Sequence, residues 1–395
     1  MTLFRTLSGT ALVLALSSFN SAYAAIDPAA ATVSLRLSCT DNGVALNNCF
    51  TTPQSLTAWM ATTRRPNADK PLRVEIGAGR FTSTNENFEI TCNSSQNYTG
   101  YTSFVGAGPA QTVLYFPYAQ SARLVISSCA GMNFSELGIE GGQEDLTYGG
   151  AIKWMGGGSS SWNHVAVSGF GILWYESQCG LSRGSHYWTA SRLTAATSVF
   201  GLTTSYSASC DESWFFGSEI TATAPVNSNI NGAAPGQVTA VSVSAVKARD
   251  NGIIHVYGSV VRVLADYQSP NISAISANNG GEIHIHGTGI DLISTTGQNM
   301  VALMAGPGGH IHANETAYNA QTTGTVTRIL DQSGTGHAIH APYLWHNHAE
   351  APVIVSADGA DMAVVTNTLD GKPHLVIYSN SCGSRWFDTF TRECR

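Results

Sequence analysis

Charge is scarce in this chain. Asp, Glu, Lys and Arg make up only 11% of its 395 residues, and the formal balance is −7 with histidine neutral. That balance argues against nucleic acid, which asks for a basic face. It argues mildly against strong binding of a polyanion, although a local basic patch could still provide that. Long apolar runs are missing too. After one short N-terminal stretch, no run of about 18 uncharged apolar residues occurs, so no membrane partner is expected. No CxxC pair exists, which removes the usual zinc-ligand spacing.

What is present begins with an export signal. Arg5 supplies a positive start, Ala11 to Leu16 an apolar core and Ala22-Tyr23-Ala24 a small-residue cleavage site. Residues 1–24 therefore read as a signal peptide. The mature chain is expected to begin at Ala25, as a secreted or periplasmic bacterial protein. All eight cysteines follow this segment, and an even count in an exported chain reads as disulfides. Eight cysteines allow 105 pairings. Sequence neighbours suggest Cys39–Cys49, Cys92–Cys129, Cys179–Cys210 and Cys382–Cys394. Gly is abundant at 40 residues, among much Ser, Thr, Ala, Val and Ile, a β rather than a helical composition.

The strongest signal is an internal period. The segments Gly252–Ser259, Gly281–Thr288 and Gly309–Thr316 align, and the histidines His255, His284, His312 and His340 recur at spacings of 29, 28 and 28 residues. Earlier segments join with less regularity: Asn133–Leu137 with Asn163–Val167, and Ala190–Leu193 and Gly217–Ile220 with Gly258–Val261. An excess between Ser218 and Ser259 falls in residues 221–237, read as a loop leaving the coil. Alternation points Ile254, Val256, Ile283, Ile285 and Ile311 inward. It points His255, Tyr257, His284, His286, His312 and Asn314 outward, with Tyr187, Thr189, Trp214 and Phe216 in the same outward columns. Arg262 and Asp291 share a column and should touch. His164 and His186 are expected to face the core. This predicts an all-β, right-handed parallel β-helix forming one domain over residues 25–395. An N-cap with a short helix near Ser55–Met60 would cover about 39–70, coils about 72–380, and a disulfide-closed C-cap 381–395.

The segments Leu72–Phe81 and Phe104–Leu114 resemble the opening of pectin-lyase-like β-helix proteins, in which a strand, a Gly-rich turn and a second strand start the coil. The resemblance covers roughly residues 53–380. That superfamily includes lyases, hydrolases, epimerases, tailspikes and adhesins, so its fold alone does not give function. No pectate-lyase WxDH or RxPxxR segment occurs, nor a polygalacturonase NTD, Asp-Asp or RIK segment.

Three readings follow. The first is a lyase on an acidic polysaccharide. The resemblance implies a cation to neutralise the sugar carboxylate and a base to remove the adjacent proton, giving Arg183 and Arg192 the first role and Lys153 the second. Tyr187, Trp214 and Tyr257 would serve as sugar platforms, with Phe216, His255, His284 and His286 completing a substrate face. The second is a non-catalytic polysaccharide-binding or adhesin-like β-helix. The third is a glycoside hydrolase drawing a carboxylate pair from Glu140, Glu144, Asp145, Glu176, Asp211 and Glu212. Of these, Glu144, Asp145, Glu176, Asp211 and Glu212 could instead ligate calcium. The expected partner is a polysaccharide, and the expected state a monomer.

Overall fold

The computed structural model describes residues 26–83, 87–117, 123–142, 150–156, 158–177, 184–200, 212–224, 243–249, 251–265, 272–334, 338–341, 344–348, 362–366, 373–379, 385–388 and 393–394. Three parallel sheets run the length of a right-handed coil, as the period predicts. Sheet 1 includes Val243–Ala248, Ile272–Ala277 and Met300–Ala305. Sheet 2 includes Ile253–Tyr257, Glu282–His286 and His310–Asn314. Sheet 3 includes Val260–Ala265, Gly289–Ile293 and Thr316–Gln321.

Alternation decides what faces inward. The burial pattern of Glu282–His286 has Ile283 and Ile285 buried between partly or fully exposed neighbours, and His310–Asn314 repeats it. In the middle rungs of sheet 2 the inward file turns aromatic. Phe104, Phe134, Trp162, Trp188 and Phe215 stack in order, with ring centroids 5.1, 4.1, 4.7 and 6.1 Å apart. Beside them His186 is fully buried, its Nδ1 2.8 Å from the Ser160 hydroxyl, in agreement with its expected inward direction.

The bend from sheet 2 to sheet 3 has a repeated local cause. Glu136, His164, Ala190, Gly217, Gly258, Gly287 and Glu315 occupy equivalent positions, all in the left-handed region with φ between 47° and 57°. Glycine adopts that region without a Cβ penalty, and three of the seven are Gly. The next residue is small and polar in the later rungs. Ser191, Ser218, Ser259, Thr288 and Thr316 are buried there, and each hydroxyl donates to the carbonyl two residues back.

These bends correct the early register. Asn133 pairs with Ser161 and Ser135 with Asn163, not Asn133 with Asn163. Matching the two asparagines slips the rung by two residues. The slip preserves which strand residues face out, but it puts His164 on an inward position. His164 is instead an exposed bend residue whose Nδ1 lies 2.7 Å from Glu136 Oε2.

The predicted Arg262–Asp291 contact forms, at 3.2 Å. Cys39–Cys49 and Cys92–Cys129 are bonded, which fits an oxidising, extracellular or periplasmic setting. Cys179, Cys210 and Cys382 lie outside the described residues, as does the signal segment; of the loop expected over 221–237, residues 221–224 are instead strand paired with Arg262–Ala265, and the rest lies outside the described residues. The ends differ from the expected boundaries. Thr32–Leu35 already pairs in parallel with Leu72–Ile76, so coiling starts before residue 72. The helix Pro53–Trp59, capped by Thr52 and continued as a π-turn through Arg64, covers this end. At the other end Met362–Thr366 pairs antiparallel with Pro373–Ser379, which pairs antiparallel with Arg385–Asp388. The parallel coil thus ends before 380.

Candidate functional site

The outward face of sheet 2 carries two continuous files. The first runs Ser103, Asn133, Ser161, Tyr187, Trp214, His255, His284, His312, His340. The second runs Val105, Ser135, Asn163, Thr189, Phe216, Tyr257, His286, Asn314. Residues expected in common columns therefore do stand in file, and the spacing of the histidines is the signal that found them.

Ring geometry changes what these files offer. His255 lies 3.7 Å from Trp214 and 4.8 Å from His284, centroid to centroid, with planes within 10° of parallel. His284 and His312 are 5.0 Å apart at 9°. The rings form a deck along the coil axis, and interior members spend their faces on each other. They present edges to solvent, not platforms. Trp214 sits between Tyr187 and His255, and Tyr257 between Phe216 and His286. The expected sugar platforms at Trp214 and Tyr257 are accordingly corrected, because both faces of each ring meet another ring.

The ends of the two files differ from this interior: His286 gives way to Asn314 and His340 is tilted 52° from His312 at the tails, and Tyr187 and Phe216 stand at the heads. Tyr187 follows Ser161, and Phe216 follows Thr189, so each leads its deck above a much shorter side chain. They are 42% and 37% exposed. Below them lies a polar shelf: the Ser161 hydroxyl donates to Asn133 Oδ1 at 2.6 Å, and Asn133 Nδ2 donates to Ser103 Oγ at 3.3 Å. The step from short polar to tall aromatic side chains makes a ledge with a ring face on one side and hydrogen-bonding groups beneath.

Carboxylates flank the imidazole file. Glu212 Oε1 is 2.8 Å from His255 Nε2, and Glu282 Oε1 is 2.9 Å from His284 Nε2 and 3.7 Å from His312 Nε2. Burial lowers the His255 pKa; the Glu212 bond opposes that shift and the His284 charge adds to it. His312 is also lowered, first by burial and then by His284, against Glu282. Both folded-state values thus fall below the ordinary 6.5. The unfolded chain then binds protons first as pH falls, so stability present above pH 6.5 is lost below it. Taking the protein from about pH 7.5 to about pH 5.5 should lower its Tm, and a His255→Gln/His312→Gln variant should show a smaller drop. A Tm that is flat across this range would remove the claim.

The expected catalytic cations do not gather. Lys153 stands on sheet 1, in file with Val125 and Tyr175. Arg192 stands on sheet 3, where its Nε donates to Glu219 Oε2 at 3.0 Å, and Glu219 Oε1 also accepts from Arg262 at 2.6 Å. Different sheets point side chains in different directions, so convergence of Lys153 with Arg192 is corrected. Arg183 lies outside the described residues. So do Glu144, Asp145 and Asp211, while Glu176 is placed only as a strand residue paired with Trp154. Glu140 is held by Arg80 at 2.8 Å. Among the described residues no group of three or more His, Cys, Asp or Glu side chains is arranged to hold a metal.

No family model and no curated protein matches the sequence. Solved structures with a similar course include a pectin methylesterase in complex with a hexasaccharide, at TM-score 0.47 and 12% identity, covering 86% of this chain and 92% of that one. The catalytic domain of a GH87 α-1,3-glucanase in complex with nigerose aligns at 0.35 and 12%, over 81% and 59%. The A-module of mannuronan C-5 epimerase AlgE6 from Azotobacter vinelandii aligns at 0.25 and 9%, over 73% and 96%.

Proposed function

We propose that this is an exported polysaccharide-binding β-helix protein that holds an extended glycan along the outward face of sheet 2. One observation carries the reading: the ledge where the open ring faces of Tyr187 and Phe216 rise above Asn133, Ser161, Asn163 and Thr189. An aromatic face takes the apolar C–H side of a sugar, and the shelf amides and hydroxyls take its hydroxyls. The imidazole edges further along continue the hydrogen-bonding track. The lyase chemistry implied by the resemblance asks for a cation beside a proton acceptor, and the placement of Lys153 and Arg192 on separate sheets speaks for binding first.

Removing one ring face tests this. Burying an aromatic side chain contributes roughly 1.5–3 kcal/mol, or about ten-fold or more in affinity. Tyr187→Ala should weaken retention in affinity gels cast with polysaccharide by at least about that factor, at unchanged Tm, because Tyr187 points away from the core. Equal retention of variant and wild type would sink the ledge as the binding site.

A further inference from the structure

We infer that the glycan this face takes is uncharged; the inference rests on the binding reading above and names its substrate class. The sheet 2 strands Thr102–Val105, Ser185–Thr189, Glu212–Phe216, Ile253–Tyr257, Glu282–His286, His310–Asn314 and Ile339–His340 contain no lysine or arginine; the preceding strand Leu72–Ile76 brings Arg73 into file with Ser103, where it is paired with Glu75 at 3.1 Å. Neither do residues 132–135 or 160–163, which supply the shelf. The described cations between residues 102 and 340 are elsewhere. Lys153, Lys247 and Arg328 are on sheet 1, Arg123 immediately precedes a sheet 1 strand, and Arg249 follows one. Arg192 and Arg262 are on sheet 3, tied to Glu219 and Asp291.

Fixed negative charge, by contrast, lines the face. Glu212 and Glu282 stand beside the imidazole file, and Glu136 and Glu315 mark its bends. Burial and the neighbouring His284 charge hold His255 and His312 below the ordinary imidazole value, so neither meets those carboxylates as a fixed cation. His255 and His284 stack face to face, as do His284 and His312, so charging one ring opposes charging the next. A uronate or sulfated chain laid along these files from Asn133 onward would bring one anion per sugar against carboxylates, with no guanidinium or ammonium among the described residues of those strands to meet it. Stacking on Tyr187 and hydrogen bonding to Asn133, Ser161 and Asn163 need no charge on the ligand.

Affinity electrophoresis of the intact protein at about pH 7.5 separates the possibilities. Gels would carry either uncharged polysaccharides (β-glucans, α-1,3-glucan, galactomannan) or uronates (polygalacturonate, alginate). The expected result is retardation by an uncharged polymer, unchanged by about 0.5 M NaCl, which screens charge interactions beyond a few ångströms. Uronates should bind at least about ten-fold more weakly. Salt-sensitive retardation by a uronate as strong as that by any uncharged polymer would overturn the inference while leaving the face in place, provided Tyr187→Ala abolishes it. Retardation that Tyr187→Ala leaves intact would overturn the face itself, and retardation in no gel would overturn both.

Discussion

Replacing Trp162 by alanine is expected to lower the unfolding free energy by about 3–5 kcal/mol, read as a drop in urea midpoint. Trp162 is fully buried and stacked between Phe134 at 4.1 Å and Trp188 at 4.7 Å. Its Nε1 donates to Ser160 Oγ at 2.7 Å, and that hydroxyl also meets His186. Truncation would therefore open a cavity in the deck and remove a buried hydrogen bond together. Each rung of a solenoid touches only its neighbours, so the deficit cannot be shared across a broad core. Trp162→Phe keeps a ring in the deck and should cost less than half as much. A loss below about 1 kcal/mol for the alanine variant would show that the inward aromatic file is not what holds the middle rungs.

The second large effect lies in the Cys92–Cys129 bond. It joins the regions following Phe88–Thr91 and Leu124–Ser127, paired strands of sheet 1 in successive rungs. With its ends 37 positions apart in sequence, the chain-entropy argument gives about 4 kcal/mol, less whatever structure the reduced unfolded chain retains. Both half-cystines are buried, at 4% and 0% exposure, so reductant should reach them slowly in the folded protein. A Cys92→Ala/Cys129→Ala variant is expected to unfold at markedly lower urea concentration than the oxidised wild type. Wild type denatured with reductant should approach the variant. Coincident midpoints for the variant and the oxidised wild type would show that the bond restrains nothing.

The coil was legible because its physics is periodic. Isoleucines at Ile254, Ile283 and Ile311 and histidines at His255, His284 and His312 alternate in and out at a fixed spacing, and one such register determines the faces of every rung it reaches. Legibility failed where the bend residue stopped being glycine. Glu136, His164 and Ala190 take the left-handed conformation that Gly258 and Gly287 take later, and nothing in their side chains announces it. The pairing of Asn133 with Asn163 was the consequence, and it concealed that the short residue beneath Tyr187 is Ser161. The ledge was thus within reach of the sequence, given the right rung offset. The stacking that closes the faces of Trp214 and Tyr257 was not, because strand alternation tells which way a side chain points and not how its ring plane turns.

The reversal of chain direction between Met362–Thr366 and Pro373–Ser379 has a consequence for the edge of the sheet. A coil stopped at any earlier strand of sheet 3 would leave an edge that an identical first rung could extend in parallel, which is the geometry of end-to-end growth into a fibre. Pro373–Ser379 runs opposite to the coil, Arg385–Asp388 turns back to the coil's direction and Glu393–Cys394 runs opposite again, an alternation that a parallel coil does not continue in step. Among the described residues, a parallel strand added beside Glu393–Cys394 would therefore meet a neighbour running against it.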